Sequence, residues 1–166
     1  KALIKRFEEY RIAQNKLSSR KEILSLVKIN QTAKRTGKVK RRSVVANLVE
    51  CTSQDVTGTE LFLTEGLSAS GVVARARDKK TQAVLPLRGK LKNTAGISHA
   101  DVLKSETVRN IVNSLGCGIG EDIDVENCRY EKIIINSDSD SDGKHICALI
   151  CGLFMNHLAN VVRAGR

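Results

Sequence analysis

Three aspartates stand at alternating positions directly after a short apolar run in the last third of the chain. Asp138, Asp140 and Asp142 follow three isoleucines at 133–135, and such a run is typical of a buried strand. If the chain stays extended beyond the strand, alternate side chains point to one side, so three carboxylates face one small volume. Carboxylates at that density repel one another unless a cation lies among them. The pattern therefore predicts a site for Mg²⁺, which prefers hard oxygen ligands and often binds phosphate oxygens too.

Two other interpretations of this segment stay open. The order D-x-D-x-D-G copies the start of an EF-hand calcium loop, but Leu149 stands where that loop needs a bidentate Glu, and a strand rather than a helix precedes it. Alternatively, the string is a solvated Ser/Asp loop, which is the usual interpretation when no apolar strand comes before it. The apolar run at 133–135 favours the metal site over both.

A glutamate follows an earlier apolar run in the same way. Glu65 comes at the end of ELFLTE, and the small residues after it, through Gly71, are typical of a helix start with Ser68 as its cap. Ligands collect at the carboxyl ends of strands in α/β sheets, and a helix N-terminus there attracts phosphate. An ordinary helix start explains this run equally well by itself. Together with the aspartates, Glu65 predicts a metal site that acts on phosphoryl groups.

Short strands alternating with helices must position these residues. Apolar runs at 60–66, 82–87 and 132–137 are separated by helical patterns, which predicts a small α/β sheet with helical crossovers over residues 46–166. Residues 1–45 carry 14 basic and 3 acidic side chains, and they begin with the composition and spacing of amphipathic helices. We therefore expect a basic helical arm in front of an α/β domain.

Charge and composition narrow the class of partner. The 28 basic and 18 acidic residues give a net charge of +10, and residues 75–92 hold seven basic residues and one acidic residue. This predicts contact with a polyanion, through phosphate rather than base stacking because only 3% of residues are aromatic. The five cysteines form no C-x-x-C pair, which argues against a zinc site and a disulfide scaffold. No apolar run reaches the roughly 18 residues of a membrane span, so we expect a soluble intracellular protein.

Four runs of the chain form an ordered set: EGLSA at 65–69, QAVLPLRGKLKN at 82–93, LGCGIG at 115–120 and RYEKIIINSDSDSDGKHI at 129–146. In their order and spacing they resemble the TOPRIM domain of type IIA DNA topoisomerases, with the B subunits of gyrase and topoisomerase IV most alike. The resemblance implies a Rossmann-like fold with a short parallel sheet and flanking helices. It also implies a Mg²⁺ site used to break and reseal double-stranded DNA. Residues 1–45 match only loosely, as the end of the segment that leads from an ATPase region.

The same resemblance assigns catalytic roles to individual residues. Glu65 matches the catalytic glutamate, which is a metal ligand and a general acid/base at the 3′ oxygen of DNA. Asp138 and Asp140 match the catalytic D-x-D pair that holds the metal, and Asp142 is the third acid of the set.

Four further residues are expected to contact DNA. Lys90 and Asn93 match DNA-contacting residues of the family, and Arg88 lies beside them in the sequence. His145 follows the aspartates at a family position that is expected to contact phosphate.

Two residues depart from the family pattern without removing a metal ligand. Leu67 stands where the first motif, usually E-G-D-S-A, has an acid, and Lys144 stands where the last motif usually has Ser. These departures indicate a divergent member of the family, for which a virus is one candidate source.

The resemblance also implies partners that are not part of this chain. Of the two tyrosines, Tyr10 and Tyr130, the second matches a structural position, so the tyrosine that attacks DNA is expected from an A-type subunit or domain. ATP is used by an absent ATPase region, and the chain stops at Arg166, where relatives continue, so we expect a TOPRIM domain truncated at its C-terminal end. The assembly is then a dimer or heterotetramer on double-stranded DNA, in the cytoplasm or nucleoid, or in a host cytoplasm if viral. The isolated chain is expected to be inactive.

Two functional alternatives stay open beside this one. In the first, the chain is a catalytically inactive DNA-binding or assembly module, with Leu67 as an early sign of decay. In the second, it is another TOPRIM enzyme, such as a primase or an OLD-type nuclease. The long second and third motifs argue against the latter.

Overall fold

The computed structural model describes residues 2–27, 45–89 and 91–166, without the side chains of residues 2–5 and 7. Lys90, one of the expected DNA contacts, lies outside the described residues, as does the later part of the predicted basic arm. Within the described ranges, no helix is both long enough and apolar enough to cross a membrane.

A long helix, α1 (Ala2–Leu26), forms the described part of the basic arm. The helix confirms the predicted conformation, but the apolar side chains described between residues 8 and 26 do not make a continuous buried face. Tyr10 is 63% exposed and Ile12 is 64% exposed. Ile23 packs against the core of the domain and Val27, just past the helix, is buried in it. The described contacts with the core are therefore made at the carboxyl end of the helix.

Three parallel strands form the sheet that the sequence predicts. They are β1 (Glu60–Glu65), β2 (Gln82–Leu87) and β3 (Lys132–Asn136). The strand order is β2-β1-β3, so β1 is central. In register, Glu65 pairs with Leu87 and Thr64 pairs with Asn136. The apolar runs of β1 and β2 are buried, as is usual for parallel strands covered by helices.

Helices connect the strands and flank the sheet. After α1 they are α2 (Gly66–Ala76), α3 (His99–Val102), α4 (Glu106–Leu115), α5 (Ser141–His157) and α6 (Ala159–Arg163). Two short 3₁₀ turns, Gly120–Asp122 and Val125–Asn127, lie between α4 and β3. α4 buries Val108, Ile111 and Leu115, which stand at helical spacing. This short parallel sheet with flanking helices confirms the predicted α/β, Rossmann-like fold class.

A buried ion pair joins the chain before β1 to the chain before β3. Arg129 is 2% exposed and pairs with Glu50. The Tyr130 hydroxyl donates to the second carboxylate oxygen of Glu50 at 2.8 Å. Arg129 also donates to the carbonyl oxygen of Ser114 at 3.2 Å. Tyr130 is thus buried and hydrogen-bonded in the core, in agreement with a structural role.

Candidate functional site

The carboxyl ends of the three strands meet at one edge of the sheet. Glu65 is the last residue of β1 and pairs in register with Leu87, the last residue of β2. Because Asn136 at the end of β3 pairs with Thr64, the segment 137–140 leaves the sheet at the same edge. The predicted glutamate and the aspartate segment therefore come to the edge at which α/β sheets bind ligands.

A cleft of about 260 Å³ opens at this edge of the sheet. We call it the Glu65 cleft. Its lining residues are Glu65, Gly66, Leu87, Gly89, Asp142 and Ile146. Gly66 and Gly89 have φ angles of 71° and 72°, a left-handed conformation that strains residues with a side chain. The backbone conformation therefore favours glycine at both positions. As a result, no side chain from these two residues fills the cleft. The cleft brings Glu65 and Asp142 together.

One oxygen of the Glu65 carboxylate, Oε2, is buried and has no hydrogen-bond partner among the described residues. Glu65 is also the N-cap residue of α2, where its side chain makes no capping bond within the described part of the chain. The predicted cap at Ser68 is wrong, because α2 already begins at Gly66 and Ser68 lies exposed inside it. A buried oxygen left unpaired is unfavourable by about 1–3 kcal/mol, and a cation in the cleft would satisfy it.

The oxygen atoms of the cleft fit Mg²⁺. Glu65 and Asp142 supply hard carboxylate ligands, and Mg²⁺ usually takes one or two protein carboxylates while it keeps several waters. Across residues 2–27, 45–89 and 91–166, no group of three or more His, Cys, Asp or Glu side chains is placed to hold a metal ion. The described part of the chain thus offers two carboxylates at this cleft and no larger group of ligands.

The three aspartates do not share one extended segment, so that part of the prediction is wrong. β3 ends at Asn136 and α5 begins at Ser141, which places Asp142 in the first turn of the helix. Asp140 is the N-cap residue, and its Oδ1 accepts the Gly143 N–H at 2.7 Å. Such a capping bond satisfies one of the first amides of a helix. Because this bond caps a helix that begins at Ser141, the segment is not extended beyond Asp140 as the alternation of aspartates predicts.

Asp138 packs against the first turn of α5 through its backbone. A Cβ atom at Gly143 would lie 2.1 Å from the carbonyl oxygen of Asp138 and 2.8 Å from its nitrogen. Neither this requirement nor the capping role of Asp140 was predicted, although an Asp just before an apolar helical stretch is a known helix-start signal. Asp138 and Asp140 are exposed and do not line the Glu65 cleft, so their roles as metal ligands stay predictions.

Two of the expected DNA contacts are sequence neighbours of residues that line the cleft. Arg88 precedes Gly89 and His145 precedes Ile146, and both of these neighbours line the cleft. The side chains of Arg88, His145 and Asn93 are exposed. Asn93 also accepts a backbone N–H two residues further on, at 3.0 Å, through its Oδ1. Their contacts with DNA stay predictions.

The two departures from the family pattern are both at the surface. Leu67 is 57% exposed in the first turn of α2, and Lys144 is exposed near the start of α5. Neither side chain lines the cleft, so neither replaces an oxygen ligand there.

Comparisons with known proteins show the family of the chain. Residues 60–165 match the Toprim domain. The chain is 35% identical to the B subunit of the type 2 topoisomerase of Aquifex aeolicus over 165 residues, which is 99% of the chain and 20% of that relative. It is 34% identical to the B subunit of DNA gyrase of Enterococcus faecalis over 154 residues, 93% of the chain and 24% of the relative. Over 118 residues, 71% of the chain and 19% of the relative, it is 46% identical to the B subunit of DNA topoisomerase 4 of Escherichia coli.

The chain thus spans about a fifth to a quarter of the length of these relatives. The match to the Toprim domain covers well over half of the chain, from the start of β1 to the residues after α6. The chain belongs to the Toprim domain family, and it is a Toprim domain of the kind found in the B subunits of type IIA topoisomerases.

Proposed function

We propose that the chain binds Mg²⁺ and is the DNA cleavage and religation region of an ATP-dependent type IIA topoisomerase. The observation that carries this proposal is the buried, unpartnered oxygen of Glu65 in a cleft that it shares with Asp142. The cleft lies at the carboxyl edge of a parallel sheet, where such folds bind ligands. The relatives named as gyrase and topoisomerase subunits support the same class of reaction.

In this proposal the carboxylates of the cleft hold the metal. Glu65 and Asp142 bind it directly, and Asp138 and Asp140 are assigned as further ligands by the family pattern. When bound, the ion stabilises negative charge on the scissile phosphate and on the 3′ oxygen that leaves. Glu65 then holds the proton that the 3′ oxygen gains on cleavage and loses on religation.

Exposed polar side chains around the cleft hold the DNA strand. Arg88 and His145 are adjacent to lining residues, so they are suited to contact the phosphates on either side of the reacting one. Lys90 and Asn93 are assigned to the same task by the family pattern. Neutralisation of several phosphates makes binding strongly dependent on salt concentration.

The remaining parts of the reaction come from outside this chain. Tyr130 is buried and donates to Glu50, so it is not placed to attack DNA, and the family pattern assigns the attacking tyrosine to an A-type subunit or domain. An ATPase region supplies the ATP-driven step. The working assembly is a dimer or heterotetramer on double-stranded DNA in the cytoplasm or nucleoid.

The proposal is tested with Glu65→Gln in the whole subunit, assembled with its A-type partner on supercoiled DNA. Glu65→Gln removes one of the two carboxylate charges that line the cleft, so we expect cleavage to fall about 100-fold or more. Glu126→Gln, an exposed change in the second 3₁₀ turn that lines neither this cleft nor the carboxyl edge of the sheet, is the matched control and should cleave at the normal rate. Thermal unfolding of both variants checks that they are folded. Wild-type cleavage by a folded Glu65→Gln subunit would refute the proposal.

A catalytically inactive DNA-binding or assembly module is the second candidate. It is favoured by one observation: three or more metal-binding side chains do not gather anywhere in the described ranges. Titration of the chain with Mg²⁺ separates the two candidates, because an ion that binds only the native state stabilises it by about 1.4 kcal/mol at ten times its Kd. A rise in Tm that Glu65→Gln abolishes supports the metal site. An identical Tm with and without Mg²⁺, for both wild type and variant, supports the inactive module.

A further inference from the structure

A second cleft, of about 320 Å³, lies between the segment after β2 and the start of α4. Polar and charged residues in its lining are Lys92, Thr94, Asp101, Lys104 and Ser105. It shares no lining residue with the Glu65 cleft. We call it the α4 cleft.

Thr94 contributes an unused polar group to the α4 cleft. The residue is 3% exposed, and its hydroxyl oxygen is buried without a hydrogen-bond partner among the described residues. The backbone carbonyl of Thr94, in contrast, is engaged: it lies 3.1 Å from Nε2 of His157 and accepts the Ile97 N–H at 3.3 Å. A buried hydroxyl is normally paired, and it can donate as well as accept. Because Thr94 is a lining residue of the cleft, a ligand bound there is positioned to pair with this hydroxyl.

The N-terminus of α4 lies at the same cleft, with Ser105 and Val108 in the lining. α4 has ten residues, and its N-cap residue Ser105, which lines the cleft, makes no side-chain capping bond within the described part of the chain. The first amides of an α-helix have no partner inside the helix. Together with the helix dipole, they favour an anion at this end.

Charges in the lining favour a small anion. Lys92 and Lys104 are exposed at the rim, and Asp101 is the single acid among the lining residues. Lys104 Nζ donates to Asp101 Oδ1 at 2.6 Å, and Ser98 donates to Oδ2 at 2.7 Å. These bonds lower the pKa of Asp101, so the carboxylate is ionised at neutral pH and partly offsets the two lysines. The binding of an anion here is therefore expected to be weak.

We propose that the α4 cleft binds a phosphate group, held by the Thr94 hydroxyl, the first amides of α4 and the two lysines. The tetrahedral oxyanion can accept from the hydroxyl and from helix amides at the same time. It comes either from free inorganic phosphate or from a phosphodiester of a DNA strand. The second source rests on the proposed function, whereas the first is independent of it.

Inorganic phosphate is the first probe. Titrated into the ¹⁵N-labelled chain at constant ionic strength, it should shift the backbone amides of Glu106, Thr107 and Val108 in a saturable way that chloride does not reproduce. Thr94→Val removes the hydroxyl at nearly constant shape, so phosphate affinity should fall about tenfold. The same change should raise Tm in phosphate-free buffer, because an unpaired buried hydroxyl is gone. Thr52→Val, at an exposed site outside the lining, should alter neither the affinity nor the shifts.

Asp101→Asn provides a change in the opposite direction. It removes the carboxylate that engages Lys104, so phosphate should bind several-fold more tightly. Wild-type shifts that are absent, scattered over the surface or unchanged in Thr94→Val would overturn the proposal.

A DNA duplex is the second probe and identifies the source of the phosphate. If Thr94→Val weakens both phosphate and duplex binding, the ligand is a DNA phosphate, and Lys92→Gln should then lower the slope of log affinity against log salt by about one. If it weakens phosphate binding alone, the ligand is free phosphate. Neither outcome depends on the Glu65 cleft. Failure of the α4 cleft to bind phosphate is therefore distinguished from failure of the proposed cleavage function, which the cleavage assay of Glu65→Gln measures.

Discussion

Gly143→Ala is the sharpest structural test of how the aspartate segment is held. The added Cβ would lie 2.1 Å from the carbonyl oxygen of Asp138 and 2.8 Å from both its carbonyl carbon and its nitrogen. All three neighbours are backbone atoms, so no side-chain rotation relieves the overlap. Either the Asp138 backbone moves by more than about 1 Å to restore ordinary contact, or the first turn of α5 is pushed away from it.

The expected cost follows from the bonds that such a shift would break. Loss of the hydrogen bond from Gly143 to Asp140 removes an N-cap, worth about 1 kcal/mol. Overpacking adds about 1–3 kcal/mol, and the better helix propensity of Ala returns about 1 kcal/mol. The net loss in the free energy of unfolding is therefore about 1–3 kcal/mol, or roughly 3–10 °C in Tm.

Gly152→Ala is the matched control on the same helix. A Cβ there has no described heavy atom within 4 Å, so the substitution should be neutral or stabilise by up to about 1 kcal/mol. Urea unfolding of wild type and both variants measures the difference. If Gly143→Ala is as stable as Gly152→Ala, the close contact between Asp138 and α5 is wrong.

Two further predictions concern the core and its titration. Glu50→Ala should destabilise the chain by about 3–5 kcal/mol, because it removes the carboxylate that pairs with the buried Arg129. Urea unfolding measures the difference. A loss below about 1 kcal/mol, as for a surface pair, would contradict this. Burial and then the neighbouring His157 lower the pKa of His99 from 6.5, although Glu121 opposes them. Because the unfolded chain then binds more protons than the folded chain, Tm should fall as pH drops through about 6.5. If the slope of Tm against pH is the same in His99→Gln, His99 is not its source.

The sheet could be predicted from the sequence because its signals are local. Apolar runs at 60–66, 82–87 and 132–137 became strands within one or two residues at each end. The position of Glu65 at a strand end follows from the same runs. Since parallel strands with helical crossovers align their carboxyl ends, the meeting of Glu65 with the aspartate segment followed as well.

Helix starts were harder to predict, because they depend on which residue satisfies the first amides. Ser68 and Asp140 are both typical N-cap types, yet α2 begins before Ser68 and α5 begins directly after Asp140. The start at Asp140 is fixed by two local contacts, the capping bond from the Gly143 N–H and the packing of Gly143 against the Asp138 backbone. The residue types signal the first contact, whereas the second appears only in the structure. The α4 cleft was not predictable either, since Thr94 and Ser105 come together through the turn that contains α3.

The helical start at Ser141 also changes which residue most needs a cation. Three adjacent carboxylates on an extended strand would repel one another with nothing nearby to offset the charge. In the structure, Asp140 caps α5 and Asp142 lies in its first turn, where the helix dipole stabilises a negative charge by about 0.3–1 kcal/mol. The segment can therefore keep its charge without a metal. Glu65 also stands at a helix N-terminus, as the N-cap residue of α2, but its side chain makes no capping bond and its buried oxygen has no partner among the described residues. The charge of Glu65, rather than that of Asp140, should therefore decide whether Mg²⁺ raises the Tm of the chain.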